Sequence, residues 1–267
     1  MNPLEIINGQ NYPLHRASKD LGNLTPLMFA AKYGLSDYID NKLSSIQDNE
    51  IKSDLLAITN EGGLTSLHFA CLYGHVEAIK VLLKHGASIS TPSKLGQLPL
   101  HSLFSQHNDI QNIKDIFTLL CKDNSQLLAA NYNGDIVAHL AAQRGIVDIL
   151  NYIYSIEPNC LNKKNNQSMT PLLLAVLNNQ LDATNYLLNK SDITIRDNNR
   201  RNALHYAALY STSEVLKTTL VHFPINSVDA NQKKPLDYAR ANRNLEKITL
   251  LQEAEAGESK VNKPNPM

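Results

Sequence analysis

The sequence predicts an all-α fold, a solenoid of about seven stacked helix–turn–helix units, on three observations. A short block recurs along the 267 residues, most clearly at Thr65-Ser66-Leu67-His68-Phe69-Ala70. Its seven copies begin at Thr25, Thr65, Leu98, Ile136, Thr170, Asn202 and Lys234, at intervals of 40, 33, 38, 34, 32 and 32 residues. Each copy leads into a second apolar stripe at helical spacing, and polar runs rich in Gly and Asn separate the units.

Each element of the unit has a local cause. Thr65 is a good N-cap, and Pro or Ser at the following position suits a first turn whose N–H has no partner. Ala70 lets the first helix approach its neighbour, and Gly74 ends it with a residue that accepts positive φ. Val76, Ile79, Leu82 and Leu83 then form one stripe of a second helix, closed by Gly86. Neither helix can bury its stripe alone, so the units must stack. The linkers Asn60-Glu61-Gly62-Gly63, Tyr132-Asn133-Gly134, Asn165-Asn166-Gln167 and Asp197-Asn198-Asn199 are turn formers that tolerate left-handed backbone. The two long intervals place extra residues near 44–53 and after a longer helix around 110–122. In the last unit Asp237 replaces the motif histidine, Arg240 an alanine and Arg243 the glycine, which gives the polar outer face of a C-terminal cap. Residues 1–24 are expected to be an N-terminal capping segment with a short helix over 8–22, residues 25–251 the repeat domain, and the polar segment 252–267 a disordered tail.

The recurring block resembles the ankyrin repeat, whose signature is T-P-L-H-x-A within a unit of about 33 residues. The resemblance covers about residues 25 to 250. It implies projecting β-turn fingers and a concave face, lined by fingers and first helices, on which a protein partner lies. The two residues after the Ala-Ala of the motif then face inward: Lys32 and Tyr33, Leu72 and Tyr73, Ser105 and Gln106, Gln143 and Arg144, Leu177 and Asn178, Leu209 and Tyr210. Finger positions add Glu61, Lys94, Leu95, Tyr132, Asn133, Lys164, Asn166, Arg196, Asn198 and Arg201. The set is rich in Tyr, Arg and Asn, residue types that make hot spots and adaptable contacts. The alternative for Tyr33, Tyr73 and Tyr210 is packing between neighbouring helices.

Charge narrows the partner class. Lys+Arg and Asp+Glu each number 25, so the net charge is zero, which argues against a nucleic-acid-coating protein or a polybasic membrane anchor. The balance is uneven along the chain: residues 1–60 hold five basic and seven acidic residues, residues 161–247 twelve and seven. Lys163, Lys164, Arg196, Arg200, Arg201, Lys233 and Lys234 fall on successive fingers, either as a basic stripe for an acidic peptide or phosphate group or as an ordinary solvated edge.

No catalytic constellation stands out. His68, His101, His139 and His205 hold the motif position, where in ankyrin repeats the imidazole ties neighbouring turns together. His75 follows the inter-helix glycine, and His15, His85, His107 and His222 lie at no metal-ligand spacing. Cys71 takes the place of a buried alanine, Cys121 ends an apolar run, and Cys160 precedes a finger and is the one expected at the surface. Phosphate-loop, dinucleotide and nucleophile-elbow patterns are missing, so the expectation is a protein without enzymatic activity, cofactor or metal. With no long apolar run and no basic-then-apolar leader, it reads as soluble, cytoplasmic and monomeric, with reduced thiols.

The segment after Leu251 carries Glu253, Glu255 and Glu258, similar to the glutamate-rich C-terminal signals of effectors exported by type IV secretion systems, and equally read as ordinary solubilising residues. Thirty Asn and no Trp match AT-rich bacterial genomes. The expected role is a binding module, in the effector reading directed at a host protein, with a housekeeping or immunity-type protein acting on its own cell's enzyme as the alternative.

Overall fold

The computed structural model describes residues 3–8, 12–104, 108, 110–121 and 124–261. Helices account for the regular structure of those residues, the one β-type contact among them being a bridge between Ser18 and Leu24. The chain divides into two compact units, Met1–Tyr132 and Asn133–Met267.

The first unit opens with α1 (Pro3–Asn8) and then holds three helix pairs: α2 (Pro26–Lys32) with α3 (Ser36–Ser44), α5 (Ser66–Leu72) with α6 (Val76–Lys84), and α7 (Pro99–Ser102) with α8 (Ile110–Leu120). The extra residues of the first interval form a helix of their own, α4 (Asn49–Ala57), capped by the Asp48 carboxylate. The second unit holds four pairs: α9 (Val137–Arg144) with α10 (Val147–Ile156), α11 (Pro171–Leu177) with α12 (Leu181–Lys190), α13 (Ala203–Tyr210) with α14 (Ser213–Leu220), and α15 (Pro235–Ala241) with α16 (Leu245–Val261). Within each unit first helices pack on first helices and second on second, as α2 on α5 and α3 on α6, or α9 on α11 and α10 on α12. Small residues allow the close approach: Ala30, Ala31, Ala70, Ala141, Ala142, Ala175, Ala207 and Ala208 are all fully buried. The stripe of α6 buries Ile79 and Leu82 completely, each contributing roughly 1.5–3 kcal/mol.

Within each unit, hydrogen bonds tie one repeat to the next. In the second repeat the backbone N–H of Thr65 donates to His68 Nδ1 at 3.1 Å. A backbone amide can only donate, so Nδ1 is the acceptor and Nε2 carries the proton, which it donates across to Gln97 O at 2.9 Å in the following repeat. His101 does the same with Leu98 N–H and Ala129 O, at 2.9 and 3.0 Å. His139 takes Ile136 N–H at 3.3 Å and donates toward Lys163 O and Met169 O, each at 3.1 Å. Burial lowers the proton affinity of His68 and His139, in keeping with neutral rings. In the α15–α16 pair the Asp237 carboxylate accepts Lys234 N–H at 2.8 Å, the backward half of the same bond pattern.

The fingers share a second device. In five repeats the residue six places before the first helix accepts two backbone N–H groups of its own turn through one side-chain oxygen: Asn60 from Gly62 and Leu64, Ser93 from Leu95 and Gln97, Asn165 from Gln167 and Met169, Asp197 from Asn199 and Arg201, Asp229 from Asn231 and Lys233. The fourth residue of each turn has positive φ, and at Gly63 (φ 78°) a Cβ would lie 2.5 Å from the backbone N of Lys94 in the next finger. Gly63→Ala is therefore expected to lower stability by about 2–3 kcal/mol, while Gly257→Ala, at a helical position with open space around it, is neutral or stabilising. Chemical denaturation of the two variants checks the contrast, and equal stabilities would remove the finger-to-finger contact as its cause.

Three expectations are corrected. The N-terminal helix lies at Pro3–Asn8 rather than over 8–22, because Pro13 and the turn after it break the run, and Ser18 instead caps a single 3₁₀ turn, Lys19–Leu21. The segment from 252 continues α16 to Val261, since Gln252-Glu253-Ala254-Glu255-Ala256 are strong helix formers and Glu255 pairs with Lys234 at 3.4 Å. Residues 262–267 lie outside the described residues. Cys160 is fully buried: the 3₁₀ segment Pro158–Asn162 tucks it under α9 and α10, and burial first, then the Glu157 charge, raises its thiol pKa.

Candidate functional site

In the first unit the inward pair of α2 and that of α5 meet. Lys32 Nζ lies 5.4 Å from the ring centroid of Tyr33 and 5.7 Å from that of Tyr73, so one ammonium is shared by two aromatic faces. Tyr33 is also tilted against Phe29 at 4.7 Å between centroids, yet keeps 42% of its surface exposed. Packing and exposure thus coexist at Tyr33, while Tyr73 and Leu72 are half-buried. Tyr132, 69% exposed on its finger, lies against Gly96, where a Cβ would meet its ring at 2.5 Å, and Leu95 beside it is 64% exposed. Ser105, Gln106 and His107 lie outside the described residues.

In the second unit the expected residues separate into structural and accessible groups. Gln143 is exposed and Arg144 half-buried. Asn178 turns its amide back on Leu174 O at 2.9 Å, capping its own helix. Leu209 is half-buried, and its carbonyl accepts the Asn242 side-chain amide of the following repeat. Tyr210 is 51% exposed and lies 6.1 Å from Tyr206 between centroids. Together with Gln167, Met169, Leu177 and Arg201, these two tyrosines line an open cavity of about 220 Å³.

That cavity rests on a buried carboxylate. Asp197 Oδ2 accepts Arg201 Nε and the Tyr206 hydroxyl, each at 2.8 Å, while Arg201 Nη2 donates to the Tyr206 oxygen at 3.0 Å and its guanidinium lies 4.8 Å from the Tyr206 ring. Burial and the Asp197 contact hold the Tyr206 phenol well above the usual tyrosine range. Arg201 is thus held in place at the cavity and its charge is matched. A parallel arrangement follows one repeat later, where the Tyr238 hydroxyl donates to Asp229 Oδ2 at 2.5 Å, and burial with this contact raises Tyr238 to about 12.

The basic stripe is correspondingly shorter than the sequence suggests. Arg196 donates to Arg200 O and Val228 O at 3.2 and 3.1 Å, Arg201 is paired with Asp197, and Lys234 reaches Asn226 and Glu255. Lys163, Lys164, Arg200 and Lys233 remain exposed. The anchoring role of Asp197 and Tyr206 escaped the sequence reading, although the recurrence of Asn, Ser or Asp five residues before each motif was available as a signal. Among the described residues no group of three or more His, Cys, Asp or Glu is placed to hold a metal ion, and no helix is long and apolar enough to cross a membrane.

Comparison with known proteins agrees with this architecture. The family described as Ankyrin repeats (3 copies) matches residues 5–93, 27–126, 103–197 and 175–265. NF-kappa-B inhibitor cactus of Drosophila yakuba is 26% identical over 150 residues, 55% of this chain and 29% of that protein. Inversin of Canis lupus familiaris is 27% identical over 141 residues, 52% of this chain and 12% of that protein. The aligned part therefore spans less than a third of either relative's length. The crystal structure of the human ASB11 ankyrin repeat domain superposes with a TM-score of 0.69 at 22% identity, over 91% of this chain and 100% of that one.

Proposed function

Since the chain belongs to the ankyrin repeat family, a family of protein–protein interaction modules, we propose that it is a non-enzymatic binding protein whose second unit holds its partner at the cavity between Tyr206 and Tyr210. The observation that carries this reading is an exposed aromatic ring beside a guanidinium already fixed by a buried carboxylate. Such a surface is pre-organised: Arg201 and Tyr206 lose little freedom on binding, and Tyr210 offers large contact area on few rotatable bonds. Gln143, Arg144 and Lys164 supply adaptable polar contacts on the flanking repeats, as Lys32, Tyr33, Tyr73 and Tyr132 do in the first unit.

Tyr210→Ala is expected to weaken partner capture about 10- to 30-fold, the range of a typical aromatic hot spot, with the unfolding midpoint nearly unchanged because half of the ring faces solvent. Quantitative pull-down with the wild-type and variant chains checks it. Unchanged capture by Tyr210→Ala and by Tyr206→Phe moves the partner site away from this cavity.

The finer reading is an effector exported by a type IV system to act on a host protein in the host cytosol. The acidic residues Glu253, Glu255 and Glu258 and the Asn-rich composition support it. A translocation reporter fused to the chain is expected to reach the host cell, and to fail on replacement of the three glutamates by alanine. Delivery that survives the replacement rejects the export signal and leaves the binding reading standing.

A further inference from the structure

A second cavity in the same unit, of about 330 Å³, opens between the chain leading into one finger and the chain leaving α14. Its apolar lining is Ile193 on one side and Phe223 and Pro224 on the other, with Thr194 and Asn202 completing the wall. Two basic side chains stand in its lining, Arg196 and His222, and none of the lining residues carries a carboxylate. Arg196 is held in place by its Nη1, which donates to Val228 O and Arg200 O at 3.1 and 3.2 Å. Its Nε and Nη2 make no hydrogen bond among the described residues, and neither does the His222 imidazole. On the neighbouring loop Asp192 Oδ1 accepts the N–H and hydroxyl of Thr194 at 2.9 and 2.6 Å.

We propose that this cavity binds a carboxylate carried on a short aliphatic or aromatic group, the carboxylate on Arg196 and His222 and the apolar body against Ile193, Phe223 and Pro224. A guanidinium with one edge fixed and the other open receives a planar carboxylate through two parallel N–H bonds. The apolar walls select against a bare inorganic anion, which would leave them wet, and the volume lies at the small end of the range for ligand pockets, roughly 300–1,000 Å³. The site is separate from the Tyr206–Tyr210 cavity, so the two readings stand or fall independently.

Phenylacetate is the probe, with phenylacetamide and inorganic phosphate as controls, and the signals of the His222 ring and the Arg196 Nε–H group in a nitrogen-resolved NMR titration of the full chain as readout. Saturable shifts with phenylacetate, absent with both controls and weakened at least fivefold by Arg196→Gln and by His222→Leu, are expected. His222 bonds nothing else among the described residues, so His222→Leu keeps the fold and the test does not depend on the Arg196 variant folding. No saturation, equal binding of the amide or of phosphate, or unaltered binding by His222→Leu overturns the proposal. A capped peptide ending in phenylalanine with a free carboxylate, titrated beside phenylacetate, assigns the source: tighter binding of the peptide marks a chain terminus as the ligand, tighter binding of phenylacetate a free acid.

Discussion

Replacing His139 by alanine is expected to lower stability by about 3–4 kcal/mol, more than any exposed substitution in the chain. The ring is fully buried and serves two repeats at once. Nδ1 accepts the N–H of Ile136, which has no side-chain oxygen of its own with which to cap α9, and Nε2 reaches the carbonyls of Lys163 and Met169 thirty or fewer residues on. Alanine leaves the buried Ile136 amide and Met169 carbonyl without that partner, where each unsatisfied group costs about 1–3 kcal/mol, frees the partly buried Lys163 carbonyl, and opens a void besides. His139→Leu fills the void but not the bonds, so about half of the loss should remain. The fifth repeat shows that leucine can stand there: Leu173 is buried at the same place, with the Thr170 hydroxyl accepting its N–H at 3.3 Å. Urea unfolding with an unchanged m-value measures the difference. A loss of under about 1 kcal/mol for His139→Ala would assign the repeat-to-repeat tie to apolar packing alone.

How far the sequence reveals this molecule depends on the range of the interaction concerned. Helix starts are local events, and Thr25, Thr65, Thr170 and Asn202 each accept the N–H three residues on through the side chain the motif places there. The glycines at 34, 74 and 145 adopt the left-handed backbone that ends a first helix, again a property of one residue. The third repeat is less transparent. There α7 is only four residues long, and the buried Asn108 side chain donates to Leu103 O and across to Cys71 O, each at 2.8 Å, a bond no local pattern announces. The candidate site has the same division. Its residue types were readable from register, but whether a finger arginine is available depends on what it meets: Arg201 finds a carboxylate in its own finger, and Arg196 finds a carbonyl in the next. A basic residue at a repeated position is therefore a partner candidate only after the fold has had first use of its donors.

Acid is expected to weaken the fold in two stages, with histidine first. Burial lowers the proton affinity of His68, of His139 and of His205, and in the last two the nearby carboxylates of Asp135 and Asp229 only partly offset it. On unfolding each imidazole returns to its ordinary value of about 6.5, so below that pH the unfolded chain binds more protons than the folded one and stability falls as the pH falls. Each such proton contributes a slope of about 1.4 kcal/mol per pH unit, until the pH passes the lowered folded value and the rings charge in place, losing the acceptor that holds the N-cap amide. The second stage belongs to carboxylates whose folded values are lowered: Asp40 by hydrogen bonds from His85 and Lys84, Asp192 by Thr194, and Asp229, where burial opposes but the Tyr238 hydroxyl and the Lys233 and Asn231 amides prevail. Their stabilisation is complete above the ordinary aspartate value of about 3.9 and is lost as the pH falls through the lowered folded values. Urea midpoints taken between pH 8 and 5 should decline, and the decline should be shallower in His139→Leu, from which one of the protons has been removed. A flat profile over that range, or an identical slope in the variant, would mean that these rings carry their charge in the folded repeat and that the tie is made by an imidazolium.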